Sequence, residues 1–377
     1  MSGEITKQPS LNGFLHLMVE EGASDLILKA GGCPAIRVTG GIRFVGDTPL
    51  GHDLMVSYLE QVLERRGLEE FKRVGATDRA LSIPGVGRFR CNAFHQCGDV
   101  GMVFRSVKSA IPSFTDLNLP ADPLQHLAQR RRGLVLATGI AGAGKSTTLA
   151  AMLEYINRNA NKHIITIEDP IEFLFEDRCS IINQREIGTD APSFPEALRS
   201  AVRQSPDVIL IGEMRDRDTV EAAINAAETG HLVLSTLHTV NAVQTVERIV
   251  TFFEPHQHDL VRMQLALNLS GVISLRLINT PDGRSMIPAC ELLMNTPTVR
   301  DLLQRGQTRN LPKALEEGGG MYGTMTFNQS LIRLFEAGNI SMDDALAASD
   351  SPDELKMQMR GISAGGNISS GSNLPTC

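Results

Sequence analysis

Tryptophan is absent from this chain of 377 residues, and only three tyrosines accompany its fourteen phenylalanines. So few aromatics leave little for a platform on which nucleic-acid bases could stack. Basic charge is also short: 36 Lys and Arg against 43 Asp and Glu give a net charge of −7. That balance argues against a protein whose main task is coating nucleic acid, because such affinity rests on neutralising phosphates; no nucleic-acid partner is expected. No apolar run approaches the roughly 18–20 residues that a membrane span needs. The opening stretch MSGEITKQPS has neither a basic leader nor an apolar core, so no secretory signal is readable. The six cysteines, at 33, 91, 97, 179, 290 and 377, form no CxxC pair, which excludes the usual spacing of a four-Cys zinc site. Scattered thiols without an export signal fit a reducing cytoplasm. The expectation is a soluble, mildly acidic, cytoplasmic protein. Its length and its 42% apolar content suit two or three domains with sizeable cores.

What is present falls into two patterns. Leu11, Phe14, Leu15, Met18 and Val19 share one face of a helix. Ile36 and Val38 alternate with polar residues, as do Ile42 and Phe44, and Gly40-Gly41 between them predicts a tight hairpin. A helical stretch from Leu54 to about Arg65 leads to strands over Arg88–Phe94 and Gly101–Val107. Residues 1–109 therefore read as a small α+β domain. Residues 110–122 (AIPSFTDLNLPAD) carry two prolines and no periodicity, so they read as a linker.

From there the pattern becomes strand–helix–strand–helix: Leu134–Ala137, Thr147–Asn159, His163–Ile167, Ser193–Arg203, Val208–Ile211, Asp218–Thr229, Leu232–Leu237 and Asn241–Thr251. Short apolar runs between amphipathic helices predict a parallel sheet covered on both faces. Beyond about residue 257 helices dominate, with a hairpin between Gly271 and Leu293. Residues 123–362 thus read as one large α/β domain. In 363–377 nine of the fifteen residues are Gly, Ser or Asn, the composition of a flexible tail.

Gly139-Ile140-Ala141-Gly142-Ala143-Gly144-Lys145-Ser146, followed by Thr147, fits GxxxxGK[ST] between a strand and a helix, the context that gives this motif meaning. Glycines let backbone N–H groups curl around phosphate oxygens, and the new helix points its positive end at them. Lys145 can bridge the β- and γ-phosphates of ATP, and Ser146 can ligate Mg²⁺. The second signal is Pro206-Asp-Val-Ile-Leu-Ile-Gly212-Glu213, a buried parallel strand ending in an acid where such sheets place ligands. An ordinary Walker B strand carries Asp before the Glu; Gly212 stands there, so Glu213 would polarise the attacking water or reach the metal through a bound water. Between the two lie Glu168, Asp169 and Glu172, acids that repel one another and a triphosphate unless a cation compensates. His231 and His238 bracket Leu232–Leu237; His238 can sense the γ-phosphate by hydrogen bonding, and His231 is the weaker nucleotide-binding candidate. Arg88, Arg90 and Arg105 lie in the first domain, either as a solvated sheet face or as arginine fingers toward a nucleotide held by another subunit.

GAGKSTTLAAM, ITIEDPIEF, PDVILIGEMRD and ETGHLVLSTLHT resemble the P-loop, Asp box, Walker B and His box of the secretion ATPase superfamily. GRFRCNAF followed by GMVFR resembles the PilT/PilU branch, the retraction motors of type IV pili, and LLMNTPTVRDLLQRG with GTMTFNQSLIRLFEAGNIS looks nearer PilU. The likeness runs from about residue 11 to 350. It implies a smaller α+β PAS-like domain before a RecA-like P-loop ATPase domain, and a homo-hexamer with ATP bound where one chain's first domain meets its neighbour's ATPase domain. By the same likeness Lys145, Ser146, Glu172, Glu213 and His238 are site residues, and Arg90 and Arg105 are finger candidates. A PilT-like ATPase and a PilC-like inner-membrane platform protein are the implied partners, with membrane contact through partners only. The P-loop departs from the family, which often has Pro-Thr or Ala-Thr in place of Ile140-Ala141; those positions contribute backbone, so activity is expected to survive. Three other readings stay open: an assembly or type II secretion ATPase, whose usual four-Cys zinc element is missing here; a nucleotide-binding scaffold with little hydrolysis; and a RecA-like DNA motor, disfavoured by charge and aromatic content.

Overall fold

The computed structural model describes residues 10–38, 40–107, 110–283 and 285–360; the tail read at 363–377 lies outside the described residues. The chain divides into two compact units, the first running to Ala110 and including Glu172–Leu174, the second formed by Ile111–Ile171 and the chain from Phe175 onward.

In the first unit, β1 (Asp25–Lys29), β2 (Ala35–Val38), β3 (Gly41–Phe44), β4 (Ala76–Ile83), β5 (Gly87–Gln96) and β6 (Asp99–Ser106) form an antiparallel sheet in the order β3-β2-β1-β6-β5-β4. Helices α1 (Leu11–Glu20), α2 (His52–Val62) and α3 (Arg65–Val74) complete it. The stripe read from sequence is the buried one: Leu11, Phe14, Leu15 and Met18 join a core with Tyr58, Phe89 and Phe104, whereas Val19 is exposed. The hairpin forms with Val38 opposite Gly41. Periodicity did not reveal β1, β4 or α3. β1 is a central strand whose five residues DLILK are nearly all covered, which removes the alternation that marks a half-exposed strand.

In the second unit, α4 (Ala121–Ala128) precedes β7 (Gly133–Thr138), α5 (Lys145–Asn159), β8 (His163–Glu168), β9 (Ile181–Glu186), α6 (Phe194–Ala201), β10 (Val208–Ile211), α7 (Arg217–Glu228), β11 (Leu232–Leu237), α8 (Ala242–Thr251), α9 (His258–Asn268), β12 (Leu269–Asn279) and β13 (Met286–Met294). The sheet order is β13-β12-β7-β11-β10-β8-β9, parallel except for β13. Two apolar cores cover it, one gathering α6 to α9 and the other α4 and α5. Burial on both faces explains why β7, β10 and β11 read as unbroken apolar runs. Edge strand β9 (IINQRE) is half polar and escaped the reading for that reason. The segment taken as a linker is not wholly solvated: Phe114 and Leu119 are buried in the second core. Further helices at Pro297–Gln304, Leu311–Glu317, Phe327–Glu336, Met342–Ala348 and Pro352–Met359 follow the β12–β13 hairpin.

Candidate active site

Strand order decides what can meet. β7, β11, β10 and β8 are consecutive parallel neighbours, so the loops leaving their carboxyl ends crowd one edge of the sheet, where open α/β sheets place ligands. The P-loop leaves β7, the segment holding His238 leaves β11, and Glu213 follows β10.

The P-loop backbone is shaped for an anion. Gly139 has φ 147°, and a Cβ there would come 2.7 Å from the Leu275 carbonyl oxygen and 2.8 Å from the Ala143 Cβ, so only glycine fits. Gly142 and Gly144 also have positive φ, 77° and 94°. α5 starts at Lys145 with no side-chain cap, and its first internal bond runs from Thr148 N–H to the Gly144 carbonyl at 2.9 Å. The amides of Ser146 and Thr147 stand in the first turn of α5, where helix N–H groups have no intrahelical acceptor and can meet an anion. Lys145 is buried, its Nζ donating to the carbonyls of Gly139 at 2.9 Å and Ile140 at 3.0 Å. Ile140 and Ala141 are exposed, and the loop bends without help from their side chains.

Glu213 is held on both sides. Its Oε2 lies 3.2 Å from His238 Nε2, and its Oε1 pairs with Arg215 Nε. The backbone beneath is pinned: Gly212 N–H donates to Ile167 O at 2.8 Å and Met214 N–H to Thr236 O at 3.1 Å, while Thr236 Oγ1 donates to Gly212 O at 2.7 Å. Gly212 suits this crowding, since a Cβ there would stand 3.4 Å from both Glu168 Cα and Ile167 O. Arg215 was not singled out from sequence; its place two residues after Glu213 is the signal that could have found it.

Not every candidate joins this cluster. His231 stands before β11, at the end of the strand opposite His238, about 20 Å away at ~3.3 Å per residue. It bonds Ala226 O through Nδ1 at 2.9 Å, which covers the end of α7; the structure does not bring it to its own chain's P-loop. Glu168 is buried beside Gln184, whose Nε2 donates to it at 3.3 Å. Glu172 is exposed and groups with the first unit. Arg90 and Arg105 also belong to the first unit. They are opposite each other on β5 and β6, and Asp25 stands opposite both Arg105 and Arg37, so the four occupy one row across the sheet and share a face. Buried Asp25 holds Arg105 at 2.9 Å and Arg37 at 3.3 Å, and Arg90 reaches Asp78 at 3.4 Å.

A buried carboxyl, unnoticed in the sequence, underlies the site. Glu291 on β13 accepts the Ala242 N–H at 2.6 Å and the Ser274 hydroxyl at 3.3 Å. Ser274 in turn accepts from Thr138, the last residue of β7, at 3.1 Å. Burial raises the Glu291 pKa from 4.5 to about 7, against the bonds from Ala242 and Ser274 and the nearby Arg276, with Asp350 adding to the rise. One side chain thus ties the strand that enters the P-loop to the helix that follows His238.

A P-loop, an acid and a histidine on the carboxyl edge of a parallel sheet define a nucleotide-binding site of the ATPase class. Residues 103–336 match the family described as Type II/IV secretion system protein. Over 347 residues the chain is 43% identical to the type IV pilus ATPase PilU of Pseudomonas aeruginosa, covering 92% of this chain and 90% of that protein. It is 40% identical to the retraction ATPase PilT of the same organism over 342 residues, 91% of this chain and 98% of PilT. The crystal structure of the pilus retraction motor PilT with bound ADP matches with a TM-score of 0.84 at 42% identity, covering 91% of this chain and 98% of that one. The chain belongs to the type II/IV secretion ATPase family, in its PilT/PilU branch.

Proposed function

We propose that this chain is an ATP-hydrolysing motor subunit that powers type IV pilus retraction and hence twitching motility. The observation that carries the reading is the convergence of the P-loop, Glu213 and His238 on one edge of the sheet, in a chain similar to PilU and PilT over nine-tenths of its length. The amides of the P-loop and the start of α5 bind the phosphates of ATP, and Lys145 turns from the loop carbonyls to the anion. The Ser146 hydroxyl and, through water, Glu213 would hold Mg²⁺, which supplies charge neutralisation on the phosphates when bound. Glu213 orients and deprotonates the attacking water, and His238, on its other oxygen, registers whether the γ-phosphate is there.

The site needs cations beyond Lys145, because charge on the transferring phosphoryl group must be stabilised. Arg90 and Arg105 supply them from a neighbouring subunit in a homo-hexamer, with Glu172 contributing an acid at the same junction. The ring works from the cytoplasmic face of the inner membrane on a PilC-like platform protein, alongside a PilT-like ATPase. Arg215 favours a second reading: an arginine clasping Glu213 Oε1 occupies an oxygen that would otherwise face the attacking water, as suits a subunit that binds ATP and hydrolyses little. Deleting the gene alone and together with any PilT-like gene, complementing with Glu213→Gln, and following labelled pili tests the proposal. Retraction that is lost on deletion and restored by the wild type but not by Glu213→Gln supports the motor. Full rescue by Glu213→Gln supports the scaffold.

A further inference from the structure

The far end of the second unit carries a patch that the nucleotide site does not use. At Gly133, the first residue of β7 and thus the opposite end of that strand from the P-loop, a cavity of about 490 Å³ is lined by Arg130, Arg131, Arg132 and Arg300. All four are exposed, and among the described residues none makes an ion pair or a side-chain hydrogen bond. No acid lines this cavity; Asp122 lines the adjoining one, which shares Arg130. Four unpaired guanidinium groups in one hollow repel each other unless an anion joins them, and all are arginine, the side chain whose fork matches phosphate oxygens two at a time.

Exposed apolar side chains line this hollow and the one adjoining it. Leu267 lines the first and is 58% exposed, and Met263 and Leu260, at 46% and 53%, continue the same face of α9. Met321, 80% exposed, and Tyr322 line the adjoining cavity, which shares Arg130 and Asn295 with the first. Large apolar side chains rimming an arginine cluster form the amphiphilic surface that peripheral membrane proteins lay on lipid, the apolar groups entering the acyl boundary and the basic groups meeting the headgroups. A soluble phosphate compound would satisfy the arginines and leave the apolar rim wet. The charge distribution points the same way: a protein of net charge −7 is repelled by an anionic bilayer unless its positive charge is segregated, and screening confines the attraction to a surface within about a Debye length.

We propose that this face binds the anionic phospholipid surface directly, with a lipid phosphate among the four arginines and Leu267 and Met321 in the acyl boundary. Contact with the membrane is then not through partners alone.

The full chain is sedimented with vesicles of phosphatidylethanolamine and phosphatidylglycerol, and with vesicles of phosphatidylcholine alone. Binding is expected only to the anionic vesicles and should weaken with salt. Arg131→Gln/Arg132→Gln should lower the partition coefficient roughly 30-fold, and Leu267→Gln/Met321→Gln should lower it several-fold while leaving the salt dependence intact. ATP hydrolysis by both variants should match the wild type, which shows that they fold. Inorganic pyrophosphate is titrated calorimetrically into the Lys145→Ala protein, whose P-loop no longer competes for it. Pyrophosphate binding without vesicle binding overturns the proposal in favour of a soluble phosphate ligand. Failure to bind anionic vesicles, equal binding to both vesicle types, or wild-type binding by the arginine variant also overturns it.

Discussion

The Ala242 amide donates to the Glu291 carboxyl at 2.6 Å, joining the first turn of α8 to β13, the outer strand of the hairpin whose other strand, β12, pairs with β7. Because burial raises this carboxyl to about 7 from 4.5, the folded protein keeps the Glu291 proton over a range where the unfolded chain has lost it. Stability from this group is fully present below about pH 4.5 and falls as pH rises to 7. Glu291→Gln keeps an oxygen acceptor for Ala242 and cannot ionise. It should gain on the wild type steadily as pH rises, by roughly 3 kcal/mol at most above neutrality. Melting temperatures of both proteins from pH 5 to pH 8 check this; a difference that does not change with pH would show that Glu291 does not titrate there.

Gly139→Ala should fold less stably than the wild type by about 1–3 kcal/mol and lose nucleotide affinity as well. A Cβ would press on the Leu275 carbonyl at 2.7 Å, and relieving that contact moves the first amide of the P-loop. Thermal melts and binding of a fluorescent ATP analogue measure the two effects; an unchanged affinity would mean that the loop tolerates the shift.

Asp25 holds two arginines in one row, so Asp25→Asn should loosen both, and Arg105→Ala should remove one without harming the core. An arginine finger can be worth ~10³–10⁵ in rate. If Arg105 acts on a neighbouring subunit, Arg105→Ala still binds ATP and hydrolyses it slowly. Mixing it with Lys145→Ala then restores part of the activity, because some interfaces pair an intact P-loop with an intact arginine. Light scattering should show hexamers with ATP and Mg²⁺. Mixed rings without any recovery would return Arg90 and Arg105 to the role of a solvated face.

The readable parts of this molecule were those where one short window of sequence carries the physics. The P-loop glycines and Lys145 are contiguous, and β7, β10 and β11 are buried on both faces, so their apolar runs are unbroken. What stayed hidden depends on register and strand order. Asp25, Arg105 and Arg90 are scattered through the chain and become neighbours only because β1 pairs with β6 and β6 with β5. Glu291 resembles any acid inside a strand until β12 places Ser274 between it and Thr138. His231 shows the opposite case: closeness to His238 in sequence is separation in space when an extended strand lies between them.

The central claim is that Glu213 performs the chemistry while the P-loop holds the nucleotide. Its most direct test is the steady-state ATP hydrolysis of Glu213→Gln beside the wild type with Mg²⁺, with ATP affinity measured on the same preparations. Loss of a general base should slow turnover by ~10²–10⁴ with affinity unchanged within a few-fold. Hydrolysis at the wild-type rate by Glu213→Gln would contradict the assignment.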